Sequence, residues 1–144
     1  MNGPPLPLVE ELSRLGYALM RLLLARAKEA FAREGLSPLQ AEVLRLVREG
    51  VQLPSRLAEH LEILPSQVSH LLASLEEAGL LERHPDPEDR RRVLLRLTPQ
   101  GEAVQQRLQE GWLRAYGQYL ARLTPRELLL FRDLLRKLTE VEDG

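Results

Sequence analysis

The chain has 144 residues, 20 basic and 21 acidic side chains, a formal net charge of -1 and no cysteine. That length fits one compact domain, or a small domain with arms that pack on a partner, and is too short for a two-domain enzyme with its own cofactor module. The missing cysteine excludes disulfides, thiolate metal sites and thiol redox chemistry, and no run reaches the roughly 18–20 apolar residues of a membrane span. With no secretory signal pattern at the N-terminus, these features predict a soluble, cytoplasmic protein with no cofactor and no membrane partner.

Leucine makes up about a quarter of the chain and aromatics only 4%, which predicts a mostly helical fold. Residues 1–7 form a Pro-rich lead-in. From Leu8 to Glu34 a proline-free pattern repeats at three- and four-residue intervals (Leu8, Leu12, Leu15, Leu19, Leu22, Leu23, Arg26, Ala30), as in an amphipathic helix, and Gly35 supplies its C-cap. Ser37-Pro38-Leu39-Gln40 carries the signature of a capping box with proline at the first helical position and opens a helix to about Glu49, ended by Gly50.

Val51-Gln52-Leu53 is a short extended stretch. Pro54–Leu61 reads as a two-turn helix with Leu57, Ala58 and Leu61 inward. Pro65 opens the next helix, with Val68, Leu71, Leu72, Leu75 and Ala78 on one face and Ser66, Gln67, His70 and Ser74 on the other; Gly79 ends it. Two strand-like runs follow, Leu80–His84 and Val93–Leu97, joined by a polar connector that contains Arg90, Arg91 and Arg92. Thr98-Pro99 starts a helix to about Arg122, and Thr124-Pro125-Arg126-Glu127 a last one to about Glu140. The predicted organisation is an N-terminal arm and dimerisation helix (1–36), a winged helix-turn-helix lobe (37–97) and C-terminal dimerisation helices (98–144).

Helix, turn, helix, strand, basic turn, strand is an order that suits double-stranded DNA. The second helix fits the major groove and its N-terminal side chains meet base edges. Ser66, Gln67, Ser69 and His70 occupy that surface here, with Ser55 on the preceding helix and Ser74 further along. The arginines of the hairpin tip suit a narrow minor groove. A polar helix face or an arginine-rich turn taken alone is more often only a solvated surface. Residues 55–96 hold six basic and eight acidic side chains, so no broad positive field supports the assignment.

The residues Leu57-Ala58-Glu59-His60-Leu61, the run from Val68 to Arg83, Asp86-Pro87-Glu88-Asp89-Arg90-Arg91 and Leu97-Thr98-Pro99-Gln100-Gly101 together resemble the MarR-type winged-helix transcriptional regulators. The resemblance covers residues 37–104; the flanking helices match in length and layout. It implies a homodimer with interlocked terminal helices and a winged lobe on each side. It also implies that Arg91 enters the minor groove, that Asp89 orients an arginine of the same turn, and that Arg83, Arg90 and Arg92 meet phosphates. The sequence departs from the pattern at His70, where a cation is typical, and its lack of cysteine excludes a peroxide-sensing role of the family's thiol kind.

A dimer is also expected from apolar content: Val9, Leu12, Leu19, Leu23, Leu128, Leu129, Leu130, Phe131, Leu134, Leu135 and Leu138 exceed what one small helix pair covers. The resemblance also implies a small-molecule effector site between the dimer helices and the lobe, with Tyr17, Phe31, Trp112 and Tyr116 as candidate lining residues, although such aromatics are more often core. His60, His70 and His84 show no metal-ligand spacing, and there is no phosphate loop or nucleophile elbow. The predicted function is that of a non-enzymatic, sequence-specific DNA-binding repressor. The alternative is an interaction or ligand-sequestering protein that keeps the winged fold without reading DNA.

Overall fold

The structure is a computed structural model describing residues 2–140. Met1 of the predicted lead-in and residues 141–144 of the predicted C-terminal segment lie outside the described residues. The elements are α1 (Leu6–Arg33), α2 (Pro38–Arg48), α3 (Pro54–Leu61), α4 (Pro65–Glu77), β1 (Leu81–Pro85), β2 (Val93–Leu97), α5 (Pro99–Leu120) and α6 (Pro125–Thr139). Among the described residues no helix is long and apolar enough to cross a membrane.

Local chemistry sets most of the boundaries. Ser37 and Thr124 each accept the amide N–H of the residue three positions on, while the side chains of Gln40 and Glu127 accept the Ser37 and Thr124 N–H, closing two capping boxes. Thr98 Oγ1 accepts Gly101 N–H at 3.0 Å. α1 starts at Leu6, two residues before the expected position, because Pro7 falls in its first turn, where a missing N–H costs nothing. β1 begins at Leu81 rather than Leu80, and α5 ends at Leu120 rather than Arg122. At Gly35 the chain turns left-handed (φ 71°) and Leu36 N–H reaches back to Phe31 O at 2.9 Å. The equivalent place after α3 is taken by Glu62, at φ 54°.

The core lies where α2, α3 and α4 meet the hairpin and the start of α5. Val43, Leu44, Leu57, Val68, Leu72, Leu75 and Leu95 are its most deeply buried side chains. The hairpin is antiparallel, with Leu81 opposite Leu97 and Pro85 opposite Val93. Its outer edge is continued by Gln52, whose carbonyl accepts Leu95 N–H at 2.8 Å, so the short extended stretch before α3 has a partner. Ala78, expected on the apolar face of α4, is exposed: it is the C-cap, one residue past the helix, and its direction no longer follows the helical period.

The long helices are different. On α1, Leu23 and Ala27 are buried, against α5 within the same chain, whereas Leu8, Leu12 and Leu15 are exposed. No residue of α6 is buried. Leu129, Leu130 and Leu134 lie in the open, and Leu138 is 81% exposed.

Candidate nucleic-acid interface

The first turn of α4 projects from the lobe. Ser66, Gln67, Ser69 and His70 are all exposed, and positions 66, 69 and 70 share a face by helical spacing. Among the described residues the side chains of Ser66 and His70 make no hydrogen bond. Ser69 Oγ donates to Pro65 O at 3.1 Å, which leaves its lone pairs open. Gln67 has a second duty. Leu64 offers no capping side chain, and Gln67 Oε1 instead accepts Leu64 N–H at 2.8 Å, so the Gln67 side chain itself caps the helix while its Nε2 has no partner among the described residues. Bidentate reading of adenine uses both ends of the amide, so Gln67 could read adenine in that way only by sharing or releasing this cap.

Ser74 does not belong to the exposed face. It is half-buried, accepts Gln40 Nε2–H at 2.9 Å and donates to Leu71 O at 2.8 Å. It is a polar fastening between α2 and α4, because the period that carries Ser66 to His70 rolls under the lobe one turn later. Ser55 lies exposed in the first turn of α3, beside Arg56. Arg56 was not singled out from sequence, although it is exposed and makes no ion pair among the described residues; its nearness to the start of the first helix of the pair was the available signal. Arg96, exposed on β2 opposite Glu82, is a second such cation.

The four arginines expected at phosphates or in the groove fall into two groups. Arg90 and Arg91 stand exposed at the hairpin tip and make no ion pair among the described residues. Arg83 is held by Glu76, bringing the end of α4 against β1. Arg92 donates through Nε and Nη2 to Asp86 Oδ2, at 3.2 and 3.0 Å. Asp89, expected to orient an arginine of the turn, accepts Arg91 N–H at 3.0 Å and lies 3.7 Å from Arg92 Nε. The shorter charge-assisted bonds are those of Asp86. The Glu88 backbone N–H, and then Arg92, hold the Asp86 carboxyl below the usual aspartate range. Glu82 pairs with His84 at 2.8 Å, so part of the local acid is spent on neighbours.

An open cavity of about 720 Å³ lies between α1, α2 and α5. Of the four aromatic candidates, Phe31 and Trp112 line it. Tyr17 and Tyr116 do not: Tyr17 is 69% exposed on α1, and Tyr116 packs beside Trp112 with ring centres 6.3 Å apart and faces a smaller cleft between α5 and α6. The charged wall of the cavity was not foreseen. Arg45 is fixed between Glu42 and Glu49, whose carboxylates keep its guanidinium firmly protonated, and Arg48 reaches Gln109 at 3.3 Å. Glu42, Arg45 and Arg48 lie on the polar side of α2 and Glu49 is its C-cap, a side that sequence periodicity marks only as solvent-facing.

Residues 36–101 match the family model described as a winged helix DNA-binding domain. The HTH-type transcriptional regulator FarR of Neisseria gonorrhoeae is 30% identical over 137 residues, covering 89% of this chain and 94% of that protein. The HTH-type transcriptional repressor MdtR of Bacillus subtilis is 29% identical over 127 residues, covering 88% and 82%. Among solved structures, a MarR family protein from Bacillus stearothermophilus superposes with a TM-score of 0.85 at 25% identity, covering 94% of this chain and 96% of that one. With its helix-turn-helix, basic hairpin and flanking long helices in the same order, the chain belongs to the MarR family of winged-helix, DNA-binding transcriptional regulators.

Proposed function

We propose that the protein is a homodimer that represses transcription by occupying a pseudo-palindromic duplex, with its two α4 helices about one helical turn apart. The observation that carries the dimer is α6: a 15-residue helix that buries no side chain in its own chain and exposes Leu129, Leu130, Leu134 and Leu138. Leu8, Leu12 and Leu15 of α1 are likewise exposed; a second copy covers these apolar side chains, and two-fold symmetry then sets two lobes side by side. In this reading Ser66, Gln67, Ser69 and His70 face the major groove, Ser55 and Arg56 meet phosphates, and Arg90 and Arg91 reach the minor groove.

The cavity between α1, α2 and α5 is assigned to a small amphipathic effector. Its apolar side (Phe31, Leu108, Trp112) accepts a flat or aliphatic body, and Gln105 with the α2 charges accepts a polar end. Because the walls belong to both the long helices and the lobe, a ligand there changes the spacing of the two α4 helices and so the affinity for DNA.

The test is selection from random duplex DNA with the purified protein and Arg91→Ala in parallel. An inverted repeat recovered by the parent and degraded in the variant is the expected result. Absence of any enrichment from the parent, with and without candidate effectors, refutes the proposal.

A further inference from the structure

We propose that Asp86 is the positioning residue of the hairpin tip, and that Arg92 is its structural partner rather than a contact to DNA; this rests on the assignment of the hairpin to the minor groove. The observations are geometric. Asp86 sits where β1 ends, and its N–H donates to Arg92 O at 3.1 Å, which carries the strand pairing one step past the Pro85–Val93 pair. Its side chain is only 6% exposed, in a loop whose other residues are mostly open to solvent. A carboxylate taken that far out of water must be paired and hydrogen-bonded, and each of its oxygens has an assigned task. Oδ1 accepts Glu88 N–H at 2.9 Å and bends the chain into the loop; Oδ2 accepts two N–H groups of Arg92 from the far side.

The loop is closed a second time by Asp89. Its carbonyl accepts Arg92 N–H at 3.0 Å and its Oδ1 accepts Arg91 N–H at the same distance. The result is a division of labour among three consecutive arginines of identical chemistry. The guanidinium of Arg92 is folded back on Asp86 and fastens the base of the loop. The side chains of Arg90 and Arg91 are left at the tip with no acid holding them. A rigid loop backbone matters there, because a loop ordered only on binding charges that ordering against affinity. Composition alone gives three equivalent cations; the buried aspartate makes them two and one.

The proposal separates from a simple electrostatic account by sign. Asp86→Asn removes a negative charge beside the DNA, so counting charges predicts tighter binding. A positioning role predicts weaker binding, because the neutral amide holds the guanidinium less well.

The experiment is equilibrium binding of full-length protein to the selected inverted repeat by fluorescence anisotropy over a salt series, with Asp86→Asn, Arg92→Ala, Arg92→Lys and Arg91→Ala, folding of each being checked by thermal melting. Asp86→Asn is expected to bind about tenfold more weakly. Arg92→Ala is expected to do the same with an unchanged slope of log affinity against log salt, and Arg92→Lys is not expected to restore affinity, since one ammonium cannot reproduce the planar pair of donors. Arg91→Ala is expected to lower the slope by about 1–2, since the dimer loses one such cation from each of its two hairpins. Equal or tighter binding by Asp86→Asn overturns the proposal, as does a slope lowered by about 1–2 in Arg92→Ala and restored by lysine. If Asp86→Asn does not fold, the two Arg92 variants, altered at a half-exposed side chain, decide the matter in the same way. An unchanged slope and affinity in Arg91→Ala refutes the minor-groove assignment itself, and the proposal with it; an effect at Arg91 with none at Asp86 or Arg92 refutes the proposal alone.

Discussion

Replacing Gly101 by alanine sets two effects of opposite sign against each other. Gly101 lies in the first turn of α5, where exchange of glycine for alanine favours the helix by about 1 kcal/mol. A Cβ placed there, however, falls 2.0 Å from the carbonyl oxygen of Leu80 and 3.0 Å from its carbon. Those are backbone atoms, so no side-chain rotation relieves the overlap, and α5 must withdraw by more than an ångström. Withdrawal breaks the bond from Thr98 N–H to Leu80 O (3.1 Å) and the bond from the Thr98 hydroxyl to Gly79 O (2.6 Å). Two such bonds contribute about 2 kcal/mol, and the strain of overpacking costs about 1–3 kcal/mol more. The clash outweighs the propensity gain, for a net destabilisation of about 2–4 kcal/mol, or a melting temperature lower by roughly 5–15 °C. Gly111→Ala is the control in the same helix: its new Cβ meets the Ala30 methyl at 3.9 Å and the flexible end of Arg114 at 4.0 Å, both ordinary contacts, and is expected to stabilise by up to about 1 kcal/mol. Urea unfolding of both variants at fixed protein concentration reads the two values. A Gly101→Ala protein as stable as the parent refutes the close approach of α5 to Leu80.

Other consequences follow from single residues. Glu62→Gly relieves a left-handed backbone worth about 1–2 kcal/mol at the cost of a more flexible unfolded chain, so a net stabilisation of about 0.5–1 kcal/mol is expected in the same unfolding assay. Gln67→Glu retains the acceptor that caps α4 but loses the amide donor; its melting temperature is expected to hold while affinity for the selected duplex falls at least about tenfold, and equal affinity excludes a base-reading Gln67. The Arg107 guanidinium, bonded at 2.7 Å, holds the Glu34 carboxyl below its ordinary value of 4.5, so this pair adds stability above that pH and loses it as pH falls through the lower folded value. The stability difference between the parent and Glu34→Gln is therefore expected to be constant above about pH 6 and to shrink below 4.5, and a difference that grows on acidification contradicts the pairing.

What was legible in the sequence is what short-range chemistry sets. Ser37, Thr98 and Thr124 announce helix starts because a cap and its partner lie three residues apart, and α3 runs from Pro54 to Leu61 as read from proline and period alone. The exposed residues of the first turn of α4 were legible for the same reason. The misplaced residues are those fixed by contacts between elements. Ser74 shares a helical face with His70, yet it meets Gln40, 34 positions away. Asp86 and Asp89 are equivalent acids in one polar loop until the hairpin closes and buries only the first. Tyr17 and Tyr116 share long helices with Phe31 and Trp112, but only the latter pair face the cavity, since the rotation of α1 and α5 against α2 is set by the packing of Leu23, Ala27 and Leu108.

The central claim is that two copies of this chain read two half-sites in fixed register, and the most direct measurement is affinity for the selected inverted repeat with five base pairs inserted at its centre. Half a helical turn places the second half-site on the opposite side of the duplex. The account predicts a fall of about a hundredfold or more, to the level of a single half-site, with affinity recovering in part when ten base pairs restore the phase. Equal affinity for all three duplexes would contradict it.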